Sequence, residues 1–76
     1  MMDLEEFLEN FAEQFDDTDA NEIQPDTKFH DLEEWSSLTA MGVIAMFKTR
    51  YGMTITGKEI RQCETVEDIF KLIKEK

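Results

Sequence analysis

The sequence predicts an all-α fold: a small four-helix bundle with three main helices and one short one, in a single domain over residues 1–76. Three observations carry this. Apolar residues recur at the helical period in separate stretches. Cap-forming residues stand where those stretches begin. No extended stretch is longer than Met53-Thr54-Ile55. A chain of 76 residues buries only roughly 60–65% of its unfolded surface, so its one core is small.

Residues 3–15 read as the first helix. Leu4, Phe7, Leu8, Phe11 and Phe15 fall on one face, and the Phe stripe reads as core. Asp3 is the expected N-cap, and Glu5 and Glu6 suit the positive end of the helix dipole. Residues 16–36 show no sustained period and are rich in turn formers, so they read as a long loop. Loops of this length inside a small domain tend to be functional. Ile23, Phe29 and Leu32 are its expected anchors, and His30 reads as a solvated loop residue.

The second helix is predicted over residues 37–51, with Ser36 or Ser37 as its cap. Leu38, Met41, Ile44, Ala45, Phe47 and Tyr51 follow its period, and Val43 and Met46 widen the face. Gly52 suits a left-handed C-cap. Gly42, mid-helix, reads either as room for another group to approach or as tolerated slack. Thr56 with Glu59 forms a capping box for a short third helix, with Ile60 and Cys63 facing inward. Cys63 reads as a small buried apolar residue. Thr65 with Asp68 opens the fourth helix, whose buried face is Val66, Ile69, Phe70, Leu72 and Ile73.

Charge bounds the function. The net charge is −10. Residues 1–36 carry 13 acids against Lys28 alone, whereas residues 37–76 carry five acids and seven bases. Such a chain repels nucleic acid and anionic lipid and favours basic partner surfaces. The longest apolar run, Val43 to Phe47, is too short for membrane insertion. The acidic N-terminal segment from Met1 to Glu6 is unlike a secretory signal, and a lone Cys fits a reducing compartment. Together these read as a cytoplasmic protein, and a monomer is expected.

Little of the sequence supports catalysis or metal binding. Asp17-x-Asp19-x-Asn21 matches the start of a calcium loop, but Glu22 and Lys28 stand where that loop needs Gly and Glu. No metal is expected. A hydrolase would have to combine Ser37 with His30, and the chain is too small to enclose such a pair. What Ser37 can offer is a hydroxyl at a helix N-terminus, where a phosphate is well held.

The run Phe29-His30-Asp31-Leu32-Glu33-Glu34-Trp35-Ser36-Ser37-Leu38 resembles the attachment region of acyl carrier proteins. There an Asp-Ser-Leu motif opens the second helix, and its Ser carries 4′-phosphopantetheine. The likeness extends over nearly the whole chain, in helix order and in length. It implies a discrete, non-catalytic carrier holding an acyl or aminoacyl group as a thioester on Ser37. It implies as partners a phosphopantetheinyl transferase, a loading enzyme, and a downstream acyltransferase or synthase. Leu38, Met41, Ile44, Phe47, Ile55, Ile60 and Cys63 would border the space that shelters an acyl chain in some carriers.

Three departures from the family stand out. Ser36 replaces the usual Asp, Trp35 is bulky for this boundary, and the second helix lacks the acids that usually dock on partners. Docking then falls to Asp31, Glu33, Glu34, Trp35, Ser36 and Leu38. A dedicated partner set follows, of lipid, polyketide or saccharide-modification type, in preference to general fatty acid biosynthesis. The alternative is an unmodified carrier-like interaction module.

Overall fold

The computed structural model describes residues 3–76, so the reading of Met1 and Met2 lies outside the described residues. The elements are α1 (Leu4–Ala12), α2 (Ser37–Tyr51), α3 (Gly57–Gln62) and α4 (Val66–Lys74). Between α1 and α2 lie two 3-10 turns, Ala20–Glu22 and Phe29–Asp31. Among the described residues there is no strand. The fold is therefore the small all-helical bundle that the sequence predicts.

α1 begins where expected. Asp3 is extended, and its carboxylate accepts the Glu6 amide at 2.7 Å. The helix ends earlier than the period suggests, at Ala12. The Gln14 and Phe15 amides turn inward to the Phe11 and Ala12 carbonyls, a tighter i to i+3 pattern. That tightening keeps Phe15 in the core at 6% exposure although it stands beyond the helix. Phe7 then joins three helices. Its ring lies 5.6 Å from Phe47 of α2 and 5.3 Å from Phe70 of α4, centroid to centroid.

α2 runs over the predicted span, with Ser36 as its N-cap and Gly52 as its left-handed C-cap at φ 63°. Its buried stripe is Val43, Met46 and Phe47. This corrects the expected face. Leu38, Met41 and Ala45 turn to solvent, and Ile44 is half-buried. α2 is apolar around most of its circumference, so its period could not fix which side faces inward. Gly42 meets another chain segment: a Cβ there would stand 3.1 Å from the Gln14 side-chain oxygen. Arg50 reaches from α2 to Asn10 of α1 and to Glu13, the residue that caps α1 at its C-terminus, closing the same seam.

Both capping boxes form, at Thr56 with Glu59 and at Thr65 with Asp68. Asp68 is short for the role, yet it reaches the Thr65 amide at 3.1 Å and takes the Glu64 amide as well. These bonds hold its carboxyl below the usual range. Cys63 is buried, and burial pushes its thiol up, which leaves it a protonated core residue.

The segment expected to be a structureless loop is organised. Its Ile23 and Phe29 are buried and Leu32 is half-buried, as anchors should be. The Pro25 and Thr27 carbonyls accept the Glu67 and Val66 amides at 2.9 and 3.0 Å. They thus satisfy two first-turn N–H groups that α4 cannot pair internally.

Two substitutions test this packing by chemical denaturation. Phe7→Ala should cost about 3–5 kcal/mol, because the ring fills space between three helices. Gly52→Ala should cost about 1–2 kcal/mol, because a Cβ strains the left-handed cap.

Candidate functional site

The site is built from the loop end and the first turn of α2. Trp35 precedes the N-cap, and its amide donates to the Leu32 carbonyl at 3.0 Å. Its ring stacks on Phe11 at 6.3 Å and 13°, and meets Phe29 edge-on at 4.8 Å. Thr39 ties the other side, its hydroxyl donating to the Glu34 carbonyl at 2.8 Å. The helix start is therefore held by a ring below and a hydrogen bond across.

Glu34 stabilises the loop itself. Its carboxylate accepts the Asp16 and Asp17 amides and the Thr18 hydroxyl. Desolvation opposes these hydrogen bonds, and the net effect holds the Glu34 carboxyl below its usual value. Asp31 and Glu33 are exposed, and both line a depression of about 640 Å³ with Asp17, Thr18, Glu22, Leu32 and Glu34. Asp19, which suggested a calcium loop, accepts the Asn21 amide and closes its own capping box with Glu22.

The two serines have different surroundings. Ser36 Oγ accepts the Thr39 amide at 3.3 Å and lies 3.3 Å from the Thr39 hydroxyl. Ser37 is exposed, and among the described residues its hydroxyl has no hydrogen-bond partner. Ser37 opens onto a groove of about 320 Å³ between α2 and α3. The groove is lined by His30, Trp35, Ser36, Ser37, Ala40, Gly57, Ile60 and Arg61.

His30 is exposed, as expected of a solvated loop residue. Its Nε2 lies 3.1 Å from the Cys63 carbonyl. A carbonyl can only accept, so Nε2 carries the proton and is committed to that bond. His30 and Ser37 share the groove without a hydrogen bond between them. Of the residues expected around an acyl chain, Ile60 lines this groove. Phe47, Ile55 and Cys63 lie in the core, Ile44 is half-buried, and Leu38 and Met41 are 78% and 64% exposed.

The residues present fit a phosphodiester on a serine here. α2 has no acid in its first turn, whereas α1, α3 and α4 each have at least one. A phosphate at the start of α2 meets a favourable helix dipole without a competing carboxylate on that turn. Sequence reasoning missed Arg61 and Gly57 as groove residues. Nothing local marks them, since α3 reaches Ser37 only through the tertiary fold.

Fold and site together define a small helical domain that presents a serine at the mouth of a groove. A family model for the phosphopantetheine attachment site matches residues 5–73, and the chain belongs to that family. Its members carry 4′-phosphopantetheine covalently on a serine and work with phosphopantetheinyl transferases and acyl-handling enzymes. They are typically carriers without catalysis of their own. Comparisons with curated proteins and with solved structures returned no significant match. No helix of the described residues is long and apolar enough to cross a membrane.

The loop clamp has a pH signature. Glu34 is depressed in the fold, so its contribution is present above its unfolded value and lost as pH falls through the lower folded one. Wild-type stability should therefore decline as pH drops below the usual glutamate value of 4.5. Glu34→Ala should lower Tm at pH 7 and flatten that acid decline, as thermal melts across pH would read.

Proposed function

We propose that Ser37 is the attachment residue and that the protein is a discrete carrier of an acyl or aminoacyl group. The observation that carries this is the contrast between the chain's two serines. Ser36 caps the helix through its oxygen, and the Ser37 hydroxyl is exposed and unengaged. The family modifies a serine, and Ser37 is the one whose oxygen an enzyme could reach without undoing the cap.

The attached group supplies a thiol on a long tether, on which a cargo is held as a thioester. The chain's own part is to present that tether from a fixed point. Tethering raises the cargo's effective concentration at each partner's active site, and no group of the carrier needs to move a proton. His30 and Ser37 line the same groove with no hydrogen bond between them, and members of the family are typically carriers, so this reading leaves catalysis to the partners.

Docking falls around the same helix start. Asp31, Glu33, Ser36 and Leu38 are exposed there, Trp35 is half-buried beneath them, and Glu34 holds the loop in place. Exposed Met41 continues the apolar strip from Leu38 along α2. A strip bordered by few acids suits a dedicated partner set in a specialised lipid, polyketide or saccharide-modification pathway. The protein would act as a cytoplasmic monomer, consistent with its buried, unpaired Cys63.

Co-expression with a broad-specificity phosphopantetheinyl transferase, read by intact mass, tests this. The wild-type chain and Ser36→Ala should gain one prosthetic group, and Ser37→Ala should gain none. Ser36→Ala should lose about 1 kcal/mol of stability with its cap. An unmodified wild-type chain beside an active transferase control would count for an unmodified interaction module.

A further inference from the structure

The groove beside Ser37 has a charge character that the carrier role alone does not explain. Its wall carries Arg61 and His30 but no carboxylate, in a chain of net charge −10. The acids just before Ser37 line the other depression, with Asp17 and Glu22. The two depressions share no lining residue, so these acids and Arg61 belong to separate surfaces.

Arg61 is exposed, and no ion pair among the described residues involves it. Arg50, Lys71 and Lys76, by contrast, pair with Glu13, Glu67 and Glu59. The position of the Arg61 head group is also informative. A Cβ built on Gly57 would lie 3.5 Å from Arg61 Nη1, so the guanidinium itself packs over Gly57 at the groove edge. Below it, Ala40 and Ile60 give the groove an apolar floor, and Trp35 gives it a wall.

Resting on the assignment of Ser37 as the attachment residue, we infer that Arg61 is the phosphate-binding residue for a phosphodiester on Ser37. It draws the apolar part of the pantetheine arm along the floor formed by Ala40 and Ile60. A guanidinium offers paired N–H donors matched to phosphate oxygens, which a lysine ammonium reproduces only as a point charge. A phosphodiester keeps its negative charge at neutral pH. The contact would dock the arm against the carrier between visits to partners, and would be weakened by salt because it is exposed.

Nuclear magnetic resonance of the isotope-labelled, phosphopantetheinylated full chain tests this, with intact mass taken on the same sample. The Arg61 Nε–H resonance should shift between unmodified and modified protein. The arm's geminal methyls should show cross-relaxation to the Ala40 and Ile60 methyls. Arg61→Glu should abolish those contacts, Arg61→Lys should keep a weakened set, and high salt should reduce them in the wild type. An unmoved Arg61 resonance, or contacts that survive in Arg61→Glu, overturns the inference. No mass gain overturns both this inference and the attachment reading. A gain on Ser37 with a freely moving arm overturns only the role of Arg61. If Arg61→Glu loses its fold, the wild-type resonance and Arg61→Lys still decide.

Discussion

The site depends on the contact of Trp35 with Phe11. α1 supplies a Phe face that has to be covered, and the loop supplies the indole that covers it at 6.3 Å. Trp35 directly precedes the N-cap Ser36. Burying the ring on Phe11 and Phe29 therefore fixes where α2 begins and where Ser37 is presented. Aromatic pairs of this kind contribute about 0.5–1.5 kcal/mol beyond their buried area, a useful share of a small domain's stability.

The rest of the chain serves that placement. Phe7 locks α1 to α2 and α4, and Arg50 closes the seam where Gly42 admits Gln14. The loop carbonyls of Pro25 and Thr27 complete the start of α4, and Glu34 gathers the amides of Asp16 and Asp17. One long segment thereby caps α4, folds on itself and delivers Trp35 to α1. Asp17, Glu22, Asp31, Glu33 and Glu34 line one depression, and the groove with Arg61 shares none of them.

Much of this was legible in the sequence, because it is local. The span Ser37–Tyr51, the Gly52 cap, both capping boxes and the Phe stripe of α1 follow from periodicity and from residues three or four apart. What was not legible depends on distant partners or on ambiguous patterning. The inward face of α2 was misread because apolar residues surround it, and tertiary packing chose Val43, Met46 and Phe47. Glu34 reads in the sequence as a docking acid, and its hold on the loop was not legible, since its partners stand 16 to 18 residues away. Arg61 belongs to the groove only because α3 packs beside α2.

On the proposed reading, the two adjacent serines divide their roles, Ser36 capping the helix and Ser37 carrying the prosthetic group. Fragment-ion mass spectrometry of the modified wild-type chain tests it most directly, because it assigns the added group to one of two neighbouring residues. The fragments should place the whole added mass on Ser37 with Ser36 unmodified. Fragments that place it on Ser36 would reverse the two roles.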